Sequence, residues 1–320
     1  MKKYLLNPNG KQYKANLHCH STISDGRLTI EQLKEEYMKR GYSIIAYTDH
    51  ETYGYHEHLT DENFLALAGY EAGVIENDER PWNVRKVYHL NVYDKHPSKD
   101  KKAAPINVDY HDIDGINAYI KARNDEGCLV CYNHAQWSLQ QYPDYIPLEG
   151  LFAMEVYNTG CAEVDGNFDY NNRVYDDMLW AGKRLCPVAS DDNHNVYPLD
   201  SHVCDSFVGC TYIAANELTY DSVISAMENG DLYASTGATI DEIYYEDGKI
   251  HLKFPKASKV YSFSNMRTGE FAKAKPGENL TEATFTFYEG MMDYIRFEVV
   301  DTLERRAYTR AFTKEELLGK

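Results

Sequence analysis

Imidazole and carboxylate side chains recur at short spacings along this chain, and these are the groups that bind catalytic metal ions in proteins. His18 and His20 form a His-x-His at the end of an apolar run, and Asp192 and His194 form an Asp-x-His after a later run. Single candidates stand beside further strand-like segments: His50, Glu71, His89 and His134. Ligands of these types at successive strands predict a hydrolytic site that holds more than one metal ion.

Strand and helix patterns alternate around these residues, and they must position the site. Apolar runs predict strands over 15–20, 43–48, 64–67, 86–93, 128–133, 153–157, 185–190 and 208–214. Thr29 and Gln32 form a capping box that opens a helix, and helical spacing predicts further helices over 113–125, 170–181 and 220–229. This alternation favours a mostly parallel sheet. Because the candidate ligands follow strands, a closed or nearly closed (β/α) barrel with the site at its carboxyl ends is the simplest arrangement.

The pattern changes after residue 238, where the predicted strands become short and alternate between apolar and polar residues. These strands are predicted over 250–254, 260–264, 283–288, 294–300 and 306–312. Alternation with few helical segments is typical of an antiparallel β-sandwich. We therefore predict two domains: a barrel over 1–238 and a small antiparallel β domain over 239–320.

Charge and cysteine content limit the possible partners and location. The formal net charge of the 320-residue chain is −17, which argues against binding to nucleic-acid polymers or anionic membranes. A phosphorylated substrate remains compatible with this charge, because bound cations reverse the local field. No apolar run predicts a membrane span, and the first residues lack the apolar core of a secretion signal. The seven scattered cysteines favour the reducing cytoplasm, and Cys128 and Cys131 are predicted to be core thiols.

The segment NLHCHSTISDGRLTIEQLKEEYMKRGYSIIAYTDHE resembles the opening of the PHP (polymerase and histidinol phosphatase) family. The segments AGYEAGV, YHLNVY, CYNHAQW, EVYN, VASDDNHN and LYASTG follow in the order of that family, so the resemblance covers 16–237. It implies a distorted (β/α)7 TIM-like barrel, two or three divalent metal ions, and phosphoesterase chemistry. The small C-terminal antiparallel β domain lies outside the resemblance.

The resemblance also implies a ligand set, carried over motif by motif. The implied metal ligands are His18, His20, Asp25, His50, Glu71, His89, His134, Asp192 and His194. Asp25 stands where some members have a histidine, and Ala135 follows His134 where the family often has a proline. Glu71 is the implied bridging carboxylate, and Glu76 is its fallback. His56 and His58 lie in a polar segment and are predicted not to bind metal.

Together with the phosphoesterase chemistry that the resemblance implies, these ligands predict hydrolysis of a small phosphate monoester by attack of a metal-activated water. Imidazole and carboxylate ligands without cysteine suit Zn, Mn or Fe, and a bridging carboxylate such as Glu71 can hold two cations ~3.5–4 Å apart. His18 and His20 share one face of an extended strand, and Asp192 and His194 share that geometry if their strand stays extended. His202 is a candidate proton donor, and Arg173 is a candidate phosphate-binding residue.

Two other functions fit the same residues. Amides, carbamates or carboxylic esters can be hydrolysed by the same metal-activated water, and a metal-stabilised binding module would bind metal without turnover. Among phosphate esters, the expected partner is a small phosphorylated metabolite, with nucleotides among the candidates because the 28 tyrosines offer stacking surfaces. The sequence leaves the oligomeric state and the role of the C-terminal β domain open.

Overall fold

The computed structural model describes residues 2–167 and 171–319. The strands, in chain order, are β1 (Lys3–Tyr4), β2 (Lys11–Asn16), β3 (Tyr42–Tyr47), β4 (Leu65–Ile75), β5 (Val87–Asp94), β6 (Cys128–Tyr132), β7 (Ala153–Asn158), β8 (Cys186–Ser190), β9 (Cys210–Ala215), β10 (Leu232–Ser235), β11 (Glu242–Glu246), β12 (Lys249–Ala257), β13 (Lys259–Ser264), β14 (Phe271–Lys273), β15 (Leu280–Thr286), β16 (Tyr294–Val300), β17 (Arg306–Thr309) and β18 (Phe312–Thr313). The α-helices are α1 (Ile30–Met38), α2 (Ile113–Asp125), α3 (Tyr142–Tyr145), α4 (Asn172–Trp180), α5 (Tyr220–Glu228) and α6 (Lys314–Leu318). The protein is therefore a mixed α/β protein, as predicted.

The central sheet places β2 to β8 side by side in chain order. The pairs β2–β3, β3–β4, β6–β7 and β7–β8 are parallel, whereas β5 is antiparallel to both β4 and β6. A parallel pair needs a crossover connection, and the described chain between β4 and β5 contains only a short 3-10 turn. The mostly parallel prediction therefore holds for this run except around β5.

The two ends of this seven-strand run meet beyond β2 and β8. The backbone N–H of His20 donates to the Asn193 carbonyl oxygen at 3.2 Å, and the N–H of Asp192 donates to the His18 carbonyl oxygen at 2.9 Å. Cys19 and Asn193 form an isolated parallel bridge. These bonds bring the His-x-His and the Asp-x-His, which are distant in sequence, into direct contact.

Local signals place the helices close to their predicted positions. The capping box of α1 is present, because Thr29 accepts from the backbone of Gln32 and the Gln32 side chain accepts from the backbone of Thr29. Helix α2 covers the predicted residues, and α4 lies within the predicted segment, whose first residue, Tyr170, lies outside the described residues. Within the described ranges, the helices are too short or too polar to cross a lipid bilayer.

The predicted core position of the two closely spaced cysteines is confirmed. Cys128 is buried in one apolar cluster of the central sheet, which also contains Val130, and Cys131 is buried in another cluster with Ala153. The two thiols therefore lie on opposite faces of β6, as residues three apart on a strand should.

The C-terminal residues form antiparallel strands in two sheets. One sheet has the order β1-β11-β12-β15, and β14-β13-β16-β17 continues the central sheet through the pairing of β17 with β10. One apolar cluster contains Ile250 and Phe285 from the first sheet and Phe297 from the second. Strand β1 is too short to produce a sequence pattern, so its pairing with β11 was not predicted. The predicted domain boundary after residue 238 stays a prediction.

Candidate metal centre

The structure brings together the nine residues that the sequence singled out as ligands. They form four overlapping groups in which ligand atoms lie within 4.8 Å of one another. These groups are His20, Asp25, His50 and His194; His18, His134 and Asp192; His18, His20 and Glu71; and Glu71, His89 and His134. Each of the nine residues belongs to at least one group, and several belong to two.

The strands position these side chains in two ways. His50, His134 and Asp192 follow the ends of β3, β6 and β8, as the sequence predicted. His18 and His20 lie beyond β2, which ends at Asn16 and not at His20 as predicted. His89 lies inside β5, within the strand predicted over 86–93. Glu71 lies inside β4, which extends well beyond the strand predicted over 64–67 and pairs with β5 in antiparallel register. The pairing with β5 keeps Glu71 and the flanking glycines extended, although this stretch has no strand pattern of its own.

The deepest part of the cluster consists of two histidines and two carboxylates. His18 Nε2 lies 3.1 Å from His20 Nε2. Glu71 Oε1 lies 3.3 Å from His18 Nε2, and Glu71 Oε2 lies 3.4 Å from His20 Nε2. Asp192 Oδ1 lies 3.1 Å from His18 Nε2 and 3.0 Å from His20 Nε2. All four side chains are almost completely buried.

This arrangement fits a bound cation. The buried Asp192 Oδ1 has no hydrogen-bond partner among the described residues, although two imidazole nitrogens face it. Buried carboxylates normally have a hydrogen-bond or metal partner, because an unpaired buried charge is costly. The imidazole nitrogens and carboxylate oxygens that converge here are the ligand types of a Zn, Mn or Fe site.

Glu71 links the central ligands to those nearer the surface. Its Oε1 lies 3.1 Å from His89 Nδ1 and 3.5 Å from His134 Nε2, and its Oε2 lies 2.9 Å from His50 Nδ1. Both carboxylate oxygens of Glu71 therefore face imidazole nitrogens, and its role as a bridge between two cations stays a prediction. The fallback Glu76 lies elsewhere, where it pairs with Arg80 and accepts from the backbone of Lys86.

The rest of the outer ligands surround Asp25, whose side chain is about half exposed. Asp25 Oδ1 lies 3.4 Å from His194 Nε2, and Asp25 Oδ2 lies 3.7 Å from His50 Nε2. His20 stacks against His194 with 4.3 Å between the ring centres. This group is the more accessible part of the cluster.

Three of the ligand histidines are oriented by partners on their Nδ1 atoms. His18 Nδ1 lies 2.8 Å from Glu155 Oε1, His134 Nδ1 lies 3.0 Å from Ser138 Oγ, and His194 Nδ1 lies 3.0 Å from the Asp192 carbonyl oxygen. A carbonyl oxygen can only accept, so His194 Nδ1 carries the proton. In each case Nε2 faces the cluster, which is how metal-binding histidines are normally held.

Glu155 is the main supporting residue that the sequence reasoning missed. It is completely buried, and its carboxylate accepts from His18 Nδ1, from the His134 backbone N–H at 3.0 Å and from Asn158 Nδ2 at 3.1 Å. Ser190 donates a further short hydrogen bond to it. Burial raises the pKa of Glu155, but the positive charges of His18 and His134 together lower it overall. The EVYN segment marked this strand without showing that its glutamate faces the site.

Two more aspartates hold the loops that carry ligands. Asp49 accepts from the backbone N–H of Ser21 at 2.8 Å and from that of Ser24 at 3.1 Å, which fixes the turn before Asp25. Asp191 accepts from Tyr37 and from backbone N–H groups of the segment before β9, and its burial raises its pKa to about 6. Asp49 directly precedes the ligand His50, and Asp191 directly precedes the ligand Asp192. The two aspartates therefore support the loops, whereas the residues after them face the cluster.

The condition under which Asp192 and His194 would share one face, a strand that stays extended, is not met. Asp192 has φ 50°, in the left-handed region, so the chain turns at this residue and does not continue β8. The turn aims Asp192 at His18 and His20, whereas His194 reaches Asp25. Cys19, between the first two ligands, is buried in an apolar cluster with Leu33 and belongs to none of the ligand groups in the described part of the chain.

The ligand charges shift several pKa values in the metal-free protein. Burial lowers the pKa of His134, but hydrogen bonding with Glu71 and the Asp192 charge raise it to about 9. Burial likewise opposes protonation of His194, and the hydrogen bond with Asp25 raises its pKa to about 9. Burial lowers the pKa of His20 to about 4. Burial alone would raise the pKa of Glu71, but the surrounding imidazoles keep it well below its usual value.

The two predicted catalytic helpers do not reach the cluster. Arg173 forms an ion pair with Asp177 at 2.9 Å and lies over the Trp180 ring, with 4.9 Å between the guanidinium and the ring centre. His202 is exposed, and neither residue lines the cavity at the metal ligands. Arg173 lies one turn before Asp177 on α4, so this local pair explains its position. His56 packs against Tyr47 and His58 and belongs to none of the ligand groups found among the described residues.

A cavity of about 430 Å³ opens onto the ligands. Its floor carries metal ligands from both the buried and the exposed parts of the cluster, and its walls add Trp82, Val87, Trp137, Val164 and Val196. Asp205 also lines it and accepts from the backbone N–H groups of His194 and Asn195 at 2.8 and 2.7 Å. A small substrate can therefore reach several ligand atoms at once.

Comparison with known protein sequences finds one short similar segment. No family model matches the chain. One segment of 42 residues is 48% identical to the DNA polymerase/3'-5' exonuclease PolX of Bacillus subtilis. The chain spans only 7% of the length of that relative, and the segment is 13% of this chain.

Two solved structures are similar to the chain at low sequence identity. One is a two-domain protein of Bacteroides vulgatus containing a predicted PHP-like metal-dependent phosphoesterase, with 17% identity, a TM-score of 0.48 and 96% of each chain covered. The other is from Bifidobacterium adolescentis and is proposed to be a metal-dependent phosphoesterase, with 16% identity, a TM-score of 0.37, and coverage of 60% of this chain and 92% of that one. The first of these two structures is thus of a protein described as PHP-like, the family that this chain resembles.

Proposed function

We propose that this protein is a metal-dependent phosphoesterase that hydrolyses a small phosphate monoester. The observation that supports the proposal most strongly is the convergence of nine imidazole and carboxylate side chains in four overlapping groups at one cavity. Two or three divalent ions would be held there, with Glu71 shared between them. Zn, Mn and Fe all suit this donor set.

Bound cations would lower the pKa of a water ligand from ~15.7 toward ~7 and would offset charge on the phosphoryl oxygens. The residues of the chain prepare this chemistry. Glu155, Ser138 and the Asp192 carbonyl oxygen fix the Nδ1 atoms of three histidines so that their Nε2 atoms face the centre. Glu71 brings a buried negative charge between the ligand groups, which favours cations there over neutral molecules.

The proposal also includes the barrel fold, the cellular location and the partner of the protein. The seven-strand run whose ends meet at Cys19 and Asn193 is consistent with a distorted (β/α)7 barrel. A cytoplasmic location and a small phosphorylated metabolite as the partner are part of the proposal.

A direct test measures the metal content and then the hydrolysis. Elemental analysis of the purified protein should find Zn, Mn or Fe, and p-nitrophenyl phosphate should be hydrolysed until a chelator removes the metal. His18→Ala should lower kcat/KM by at least ~100-fold, since it removes a ligand shared by two groups. His251→Ala is the matched control, because His251 lies in β12, outside the ligand groups. Full activity of thoroughly metal-stripped protein would contradict the proposal.

One observation favours a second candidate, hydrolysis of an amide, a carbamate or a carboxylic ester. Among the described residues that line the cavity, none is a lysine or an arginine, whereas phosphate sites often use such side chains. A substrate panel containing phosphate esters, amides and carboxylic esters separates the two functions. Turnover confined to the uncharged esters or amides would replace the phosphoesterase proposal by this one.

A further inference from the structure

Two tryptophans stand together at the mouth of the cavity. Trp82 is 61% exposed, and its ring centre lies 5.7 Å from that of Trp137, with the ring planes 65° apart. Both residues line the cavity that opens onto the metal ligands. Large aromatic side chains are usually buried, so an exposed indole at a cavity mouth marks a candidate binding surface.

Trp137 connects this aromatic pair to the ligands. Its ring centre lies 4.9 Å from that of His134 and 6.0 Å from that of His89. A group attached to anything bound at these histidines therefore lies against the indole. Asp165 Oδ2 accepts a hydrogen bond from Trp137 Nε1 at 2.7 Å, which fixes the orientation of this ring.

The remaining walls of the cavity are apolar or acidic. Val87, Val164 and Val196 add aliphatic surface, and no lysine or arginine is present among its described lining residues. Arg85 is not among the residues that line this cavity; it lines a smaller adjoining one and donates to the Glu76 carbonyl oxygen. Away from the ligand cluster, recognition must therefore depend mainly on aromatic and apolar contacts.

We propose that Trp82 and Trp137 form a subsite for a flat aromatic leaving group of the substrate. The inference rests on the proposed function, because it takes the metal ligands as the place of the phosphoryl group. The edge-to-face indoles leave ring surface for a third aromatic group, and such pairs contribute about two- to tenfold in affinity beyond the area they bury. The proposed substrates are therefore phosphate monoesters of aromatic alcohols or of nucleosides, and not of aliphatic alcohols.

The test uses two phosphonates that cannot be hydrolysed and have the same carbon count. Benzylphosphonate and cyclohexylmethylphosphonate are titrated into metal-loaded protein by calorimetry. Wild-type protein should bind benzylphosphonate about fivefold more tightly. Trp82→Ala should bring the ratio of the two affinities close to one. Trp180→Ala, which removes another half-exposed tryptophan outside the cavity lining, should leave the ratio unchanged.

The outcomes separate this inference from the proposed function. Equal affinities in the wild type, or an unchanged ratio in Trp82→Ala, would overturn the subsite while phosphoryl recognition stands. Loss of an oligomer in Trp82→Ala with an unchanged ratio would likewise overturn it and assign the indole to a subunit contact. Protein that binds metal but neither phosphonate would count against phosphoryl recognition itself, and the subsite would fall with the proposed function.

Discussion

Replacing Glu155 by glutamine tests whether the buried shell around the ligands sets metal affinity. Glu155 touches the site through two atoms, Oε1 beside His18 Nδ1 at 2.8 Å and Oε2 beside the His134 backbone nitrogen at 3.0 Å. Both partners donate, so the carboxylate accepts on both sides. Glutamine keeps one acceptor and presents an NH₂ group in place of the other. One of the two donors must then face a donor or move.

The expected loss follows from the charge on these bonds. A hydrogen bond to a charged group contributes about 1.5–3 kcal/mol, and each 1.4 kcal/mol is about tenfold in affinity. Loss of one such bond at His18 should therefore weaken metal binding by about 10- to 100-fold. This agrees with the usual cost of removing a partner that orients a metal-binding histidine. The effect should appear in metal affinity, because Glu155 belongs to none of the ligand groups.

The assay is a competition titration of metal against a chelator of known affinity, together with a thermal melt of each metal-free variant. Glu298→Gln is the matched control, since Glu298 is a buried carboxylate in β16 that pairs with Arg296 and Arg306. Both variants should lower Tm, but only Glu155→Gln should lower the metal affinity. Wild-type metal affinity in Glu155→Gln would refute the reasoning that this carboxylate holds His18 for the metal.

Three more predictions follow from the site. Glu71→Gln should lower the metal content per chain by at least one ion in elemental analysis, because Glu71 belongs to two ligand groups; an unchanged content would rule out its bridging role. Metal binding at pH 7 should release at least two protons, because the pKa values of His134 and His194 are raised to about 9 in the metal-free protein, that of His18 is also well above its usual value, and ligation requires neutral imidazole. The number of protons released should fall as the pH rises through about 9, which calorimetry in buffers of different ionisation enthalpy measures; a pH-independent value would contradict it. Arg173→Ala should leave kcat/KM for a phosphate monoester within about twofold of the wild-type value, because Arg173 pairs with Asp177. A larger loss of kcat/KM would show that Arg173 takes part in the reaction.

Much of the site could be predicted because its ligands have distinctive types and follow strong local patterns. Apolar runs and capping signals depend on neighbouring residues, so the strands before His50 and His134 and the helix after Thr29 were predictable from the sequence. The His-x-His and Asp-x-His supplied ligand types in pairs. The resemblance to the PHP family then set the order of the remaining ligands.

The tertiary structure decided what depends on contacts between distant segments. Glu71 lies inside a strand only because β4 pairs with β5, and Asp192 faces His18 only because the chain turns at a left-handed residue. Glu155, inside β7, became part of the site through its contact with His18, which is distant in sequence and follows β2, and no local pattern encodes this contact. Arg173 had a suitable charge, yet in the structure it pairs with Asp177 on its own helix and does not line the cavity at the ligands. The sequence by itself determined which groups could bind metal, and long-range strand pairing decided which of them meet.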